Sequence, residues 1–355
     1  GKVDITFWKG KKVYLTGHTG FKGSWLSLWL QNMGALVKGY SLDVNTQPAL
    51  FSKANVAEEM ESEIGDIRNL NQLTKSMVSF SPDILIHMAA QPLVRLSYQE
   101  PVDTYTTNVI GTVNVLEAAR KCSDLKAIVS VTTDKCYENS EWVWGYREND
   151  KLGGHDPYSA SKAAAEIIFS SYSKSFFQNS ERLSAASARA GNVIGGGDWA
   201  KDRLIPDLIR GFSQGEVVQV RNPLSTRPWQ HVLDPLVGYL LTLQEVLKGT
   251  EIESVNFGPI ETSLAVGEVV EIAKDRWGES AIVKIDAATG PVYEASKLEL
   301  DSHLATELLD WKPNWDQKSA IQTTIDWWKG FFLDGKNPEE LCKSDIEYAL
   351  KSVSA

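Results

Sequence analysis

An α/β fold is what this sequence predicts: a doubly wound parallel sheet followed by a smaller C-terminal α/β substrate lobe. Three observations carry that expectation. Short β-branched runs alternate with amphipathic stretches from Lys12 to Ala190, the pattern of βα units laid side by side. Gly17, Gly20 and Gly23 stand between the first such run and the first amphipathic stretch, where a tight strand-to-helix turn is required. After Gly191 the pattern gives way to Gly195-Gly196-Gly197 and to Pro206, Pro223 and Pro228, which mark loops around shorter elements.

Taken in order, Lys12-Val13-Tyr14-Leu15-Thr16 opens the sheet. A second strand reads as Leu36 to Leu42, a third ends before Asp66, and others follow at Ile84 to Met88, Ala127 to Thr133 and Leu183 to Arg189. Helical segments lie near Phe21 to Met33, Asn69 to Phe80, Val102 to Lys121 and Asp156 to Phe177. That order is the order of a Rossmann-type fold. Asp234 to Leu247 and Ser254 to Gly258 would return to the first sheet, so the expected division is a nucleotide-binding part, 1–190 with about 234–258, and a second lobe, 191–233 with 259–355. Asn337 to Ser354 reads as a terminal helix.

A chain of 355 residues has room for one large α/β unit with an appended lobe, or for two small domains. With 43% hydrophobic and 23% charged residues, neither disorder nor a fibrous repeat is indicated. The net charge of -10 argues against nucleic acid as a partner, and an anionic ligand then needs a local set of arginines. Cys122, Cys136 and Cys342 are odd in number, widely spaced and without a CxxC motif, and the five histidines are scattered. No metal is expected, and a reducing cytoplasm fits best. Neither an export leader nor an apolar run of about 18 residues is read, so no membrane span is expected.

In the segment Thr16-Gly17-His18-Thr19-Gly20-Phe21-Lys22-Gly23 the glycines would let backbone N–H groups approach a pyrophosphate at a helix N-terminus. Gly17, Thr19, Gly20, Phe21, Lys22 and Gly23 are therefore candidate dinucleotide contacts. Asp43, after the second strand, would accept bonds from an adenosine ribose and repel a 2′-phosphate, favouring NAD over NADP; a solvated turn aspartate is the competing reading. Asp66 and Ile67 would lie near adenine, and Ala89, Ala90 and Gln91 are placed where the cofactor must pass closely. Asn108, Thr132 and Arg189 complete the candidate cofactor contacts. Tyr158 and Lys162, at i and i+4, share a helix face. Lys162 would lower the pKa of Tyr158 and hold the nicotinamide ribose, leaving a phenolate to take the proton of an alcohol as hydride departs.

These features resemble the extended short-chain dehydrogenase/reductase superfamily over nearly the whole chain. Within it, Thr132-Thr133-Asp134-Lys135-Cys136-Tyr137 resembles the active-site segment of nucleotide-sugar 4,6-dehydratases. Trp142 to Glu148, Arg189 to Trp199 and Arg227 to Asp234 resemble the branch of those enzymes acting on CDP-glucose. The resemblance implies oxidation at C4 with Tyr158 as base, elimination of the 6-hydroxyl with Asp134 as acid and Thr133 bonded to the 4-oxygen, and hydride return to C6. Lys135 departs from the commoner Thr-Asp-Glu pattern. It would act as the C5 base if its pKa were lowered, or would only neutralise Asp134 or the enolate.

The nucleotide-sugar diphosphate needs cations and donors, and Asn192, Arg203, Leu204, Arg210, Arg227 and His231 are the candidates. For each arginine a surface salt bridge is the alternative. The resemblance also implies a homodimer through helices Val102 to Lys121 and Asp156 to Phe177; Val109, Val113 and Leu116 would face either the partner or the sheet. A 4-epimerase or simple alcohol dehydrogenase needs only the Tyr/Lys pair, and Asp134 speaks against both. A non-catalytic NAD-binding regulator on the same fold has no need of Thr133, Tyr158 and Lys162.

Overall fold

The computed structural model describes residues 1–178, 183–286 and 297–352. Six strands precede residue 191: β1 (Lys12–Thr16), β2 (Leu36–Ser41), β3 (Glu61–Ile64), β4 (Ile84–His87), β5 (Ala127–Thr133) and β6 (Ser184–Ala190). Beyond them lie β7 (Val193–Ile194), β8 (Val217–Arg221), β9 (Thr226–Arg227), β10 (Gln230–His231), β11 (Ser254–Phe257), β12 (Leu264–Ala265) and β13 (Ile282–Asp286). Seven strands form one sheet in the order β3-β2-β1-β4-β5-β6-β11, and every pair in it is parallel. The expected Rossmann-type fold is what the chain adopts.

Burial explains the order. β4 and β5 are buried at every position, as strands covered on both faces must be. β3 is mostly exposed and forms an edge; its Glu61 and Glu63 pair with Lys38 of β2, and charge on an edge discourages further strand pairing. Alternate residues feed two cores. Val13, Leu15, Ile84 and Ile86 join Trp25 and Trp29 of the helix Phe21–Asn32 and Leu236 and Leu240 of the helix Leu233–Leu247. On the opposite face Tyr14, Leu85 and Ile128 pack with Leu73, Val115, Leu116 and Phe169.

The chain leaves β1 for β2 and β3 on one side and returns to β4, β5 and β6 on the other. The strand order therefore reverses between β1 and β4, and the carboxyl ends at such a switch point are where these sheets seat ligands. The helix expected over Val102 to Lys121 runs as Pro101–Tyr105 and Gly111–Arg120 joined by a wider turn, Thr106–Ile110, with helical backbone at both junctions. A further short helix, Val94–Gln99, precedes it where the sequence showed no long periodic signal.

The helix Leu233–Leu247 and β11 bring the chain back to the large sheet, where β11 pairs with β6. Beside it, β8 and β13 pair in parallel near the helices Leu204–Gln214, Val266–Trp277 and Gln317–Phe332. The terminal helix is Pro338–Ser352. Of the lobe expected over 259–355, residues 287–296 and 353–355 lie outside the described residues. Among the described residues no helix is long and apolar enough to cross a membrane, and no cluster of ligating side chains suits a metal ion.

Candidate active site

The turn after β1 is shaped by close approach. Gly17 has φ +85, and a Cβ there would lie 2.8 Å from the Ala89 nitrogen. At Gly23 a Cβ would overlap the Gly17 carbonyl oxygen, whereas at Gly20, the N-cap of Phe21–Asn32, the nearest atom would be that oxygen at 3.5 Å. Two glycines thus serve backbone packing and the third leaves open space in front of the helix N-terminus, where a pyrophosphate fits. Thr19 is tied to the end of β2 through Ser41 (2.8 Å) and the Leu42 carbonyl (2.7 Å). Thr16, which sequence reasoning passed over, bonds His87 Nδ1 (2.7 Å) and accepts from the Met88 and Ala89 N–H groups. It holds the β4 turn against the glycine turn.

Asp43 follows β2 and is exposed, accepting from the Val44 N–H at 2.8 Å; its place suits a ribose and its contact is that of a turn residue. Asp66 is gripped by Arg68 through Nε and Nη2, and both border a hollow with Asn69, Leu70 and Asn71. Ile67 is buried. Ala89 and Ala90 are half-buried just after β4. Gln91 and Asn108 are internal braces: the Asn108 side chain accepts from Gln91 N–H (2.8 Å) and donates to Ser161 Oγ (2.9 Å), joining the β4 loop to the helix Pro157–Tyr172.

That helix begins with Asp156 accepting from the Ser159 N–H, an N-cap that sets the phase of its next turns. Tyr158, Ser161 and Lys162 are buried. Burial pushes the Tyr158 phenol up to about 12, with the Thr133 side chain acting to lower it. Burial brings Lys162 down to about 8, opposed by the charge of Glu166. From β5, the Thr133 hydroxyl donates to Asp134 Oδ1 at 3.0 Å and accepts from the Lys135 N–H. Asp134 is 1% exposed and its Oδ2 has no partner among the described residues. Lys135 is half-buried.

Lys22, in the glycine turn, donates to Tyr239 Oη at 2.6 Å. Burial and the charges of Lys162 and Arg203 lower it to about 7, with Asp134 opposing them. Arg203 is held by Asp198 at 3.0 Å, which raises its pKa, and its charge reaches Tyr158. Phenol, carboxyl, hydroxyl and three cations therefore share one site: Tyr158, Asp134, Thr133, Lys22, Lys162 and Arg203. The set can deprotonate an alcohol, supply an acid to a neighbouring carbon and offset the charge of a diphosphate.

Other candidates lie elsewhere. Arg189, expected beside a cofactor, is instead buried in an ion pair with Glu166 (2.9 Å) and bonded to Tyr137 Oη (2.8 Å) and the Glu148 carbonyl (2.9 Å). Glu166 also accepts from Thr132 (2.5 Å) and Ser187 (2.8 Å), so Thr132 belongs to this clamp. His231, expected at the diphosphate, is fully buried, stacked on Trp315 at 4.1 Å and lowered by burial to about 3; a neutral core imidazole offers a phosphate no charge. Arg210 lies over the Trp199 ring and pairs with Asp207. Arg227 is buried and donates to the Thr226 carbonyl. Asn192 and Leu204 are half-buried. Glu166 was the missed residue with a signal: it continues the Tyr158, Lys162 face by one more turn.

The family model for GDP-mannose 4,6 dehydratase matches residues 15–324. The chain belongs to that family. It is 51% identical over 336 residues, 93% of each chain, to CDP-glucose 4,6-dehydratase of Salmonella typhimurium. It is 27% identical over 341 residues to UDP-glucose 4-epimerase of Rhizobium leguminosarum bv. trifolii, covering 90% of this chain and 97% of that one. Among solved structures, dTDP-glucose 4,6-dehydratase from Bacillus anthracis in complex with NAD superposes with a TM-score of 0.75 at 23% identity, over 90% of this chain and 97% of that one.

Proposed function

We propose that this chain converts CDP-D-glucose to CDP-4-keto-6-deoxy-D-glucose and water as an NAD-dependent hydro-lyase. The observation that carries the reading is Asp134, a buried carboxyl that is bonded to Thr133 and whose charge reaches Tyr158. A dehydrogenase or 4-epimerase needs the phenol alone, whereas loss of a hydroxyl from C6 needs an acid beside it. The similarity to the Salmonella typhimurium enzyme supports cytidine as the nucleotide.

Bound NAD supplies the hydride acceptor for C4 and the same hydride for C6. The N–H groups around Gly20 and the carboxylate of Asp43 would hold its pyrophosphate and ribose, and Lys162 its second ribose. Tyr158 as phenolate takes the proton of the 4-hydroxyl. The ketone so formed acidifies the C5 proton, which Lys135 or another group removes, and Asp134 protonates the leaving hydroxyl. Arg203 and Lys22 face the negative charge of the substrate side. Three cysteines, all buried and none in a disulfide, accord with a reducing cytoplasm. The second reading concerns assembly: Val102, 75% exposed, and Ile167, 59% exposed, lie with Tyr105, Ile110 and Phe176 on the helices expected to pair, and a homodimer covers them.

The test is incubation with CDP-glucose, dTDP-glucose or GDP-mannose plus NAD. The expected result is a 4-keto-6-deoxy sugar from CDP-glucose with no net NADH. Turnover of another donor with CDP-glucose inert overturns the substrate; net NADH overturns the reaction class.

A further inference from the structure

We infer that Arg95 and Asp202 are a positioning pair: their ion pair ties the segment before the helix Leu204–Gln214 to the start of the catalytic helix, and so sets Arg203 where the diphosphate of the nucleotide sugar binds. The inference rests on the reading above, in which neither residue has a part.

The two segments come from distant parts of the chain. Arg95 lies on the helix Val94–Gln99, and two residues on, the fully buried Ser97 accepts from the Tyr158 N–H at 3.2 Å through its Oγ. That bond fixes the Arg95 helix to the first turn of the helix carrying Tyr158 and Lys162. Asp202 stands directly before Arg203, the N-cap of the helix Leu204–Gln214. Arg95 Nη1 donates to Asp202 Oδ1 at 3.3 Å, joining residues 107 apart in sequence.

The segment has a use for such an anchor. Bonds from Asp198 and Trp199 stay on their own side: Asp198 accepts from Arg203 at 3.0 Å and from the Ala200 N–H at 3.2 Å, and the Trp199 carbonyl accepts from Arg210. Asp202 has φ +61, in the left-handed region that a residue with a side chain enters at a cost, and its backbone leads straight into Arg203. Arg203 makes no side-chain capping bond to its helix. A hold on Asp202 is therefore a hold on the Arg203 backbone. The pair is also weak enough to open. Its side chains are 49% and 55% exposed, and an exposed ion pair shifts an equilibrium by a factor of about two to five at most. Such a contact can part as the nucleotide sugar enters and re-form once it is seated.

The test measures CDP binding by calorimetry, and KM and kcat for CDP-glucose, on NAD-loaded enzyme. Asp202→Asn keeps a residue type at home in left-handed backbone and removes only the charge. It and Arg95→Met should each raise the CDP dissociation constant and the KM by about two- to fivefold, with the loss falling on KM and not on kcat. Arg95→Lys should restore the wild-type values. The double variant should be no worse than either single one, because both remove the same contact. In an Arg203→Gln enzyme, adding Asp202→Asn should weaken CDP no further. Unchanged CDP binding in the single variants, losses that add in the double variant, or a further loss in the Arg203→Gln enzyme overturns the pair. So does tighter CDP binding in Asp202→Asn, the result expected if Arg95, once freed, takes the phosphate itself. Each of these outcomes leaves the dehydratase reading intact as long as the wild type makes the keto sugar. A wild type that neither binds CDP nor makes that product overturns both.

Discussion

Lys162 is an ammonium buried on one helix face between Tyr158 and Glu166, and burial lowers it from 10.5 to about 8. The folded enzyme therefore sheds this proton near pH 8, while the unfolded chain keeps it to about 10.5. Between those values unfolding takes up a proton, so this group's contribution to stability rises with pH through that window and is least favourable below it. Relative to Lys162→Met, the melting temperature of the NAD-free wild type should climb from about pH 8 to about pH 10, read by circular dichroism. A parallel pair of curves would sink the account. For Tyr158→Phe, loss of the proposed base should cost about 100- to 10,000-fold in turnover with the fold retained, measured as ketone formation beside the melting temperature. At this scale Tyr158 and Lys162 were legible as a pair on one helix face because i,i+4 spacing is a local signal. His231 and Arg189 misled because an imidazole or guanidinium in a motif looks the same in sequence whether it faces a ligand or an aromatic core; Trp315 and Glu166, which decide the matter, come from distant segments.

Between elements, the clamp of Glu166 on Arg189, Thr132 and Ser187 fastens the helix Pro157–Tyr172 to β5 and β6. It fixes the distance between the Tyr158 side chain on the helix and Thr133 at the end of β5. Removing one member leaves the other charge buried without its partner, which costs about 3–5 kcal/mol. Glu166→Gln should lose that amount in urea unfolding, while Glu166→Gln combined with Arg189→Met should recover much of it; equal losses in the single and double variants would show that the ion pair does not act as a unit. Strands and long helices were legible because period-2 and period-3.6 patterns extend over whole elements. The helix Val94–Gln99 and the wide turn Thr106–Ile110 were not, since each is a few residues long, too short for a period of its own to show.

For the whole molecule, the order of strands followed from the alternation of the first half, whereas the position of β11 beside β6 is a tertiary choice that a short run, Ser254–Phe257, announces only weakly. The proposed assembly belongs to this scale as well. Leu116, one of three apolar positions read as facing either a partner or the sheet, is fully buried against the sheet, and the exposed positions on the same helices are Val102, Tyr105 and Ile110, with Ile167 and Phe176 on the neighbouring one. In a two-fold dimer each residue appears twice, so a single substitution acts twice on one interface. Placing Asp at Ile167 would bury two unpaired carboxylates or leave the interface open, a cost of about 1–3 kcal/mol for each copy even when partly relieved. Their sum corresponds to a dissociation constant raised by about 30-fold to about 20,000-fold. Ile167→Asp combined with Val102→Asp should therefore elute as a monomer in size-exclusion chromatography with light scattering at concentrations where the wild type is dimeric. Because both positions are exposed in the single chain, the melting curve should keep its cooperative shape. A wild type that is itself monomeric would overturn the dimer, and a variant that stays dimeric would place its interface elsewhere on the surface.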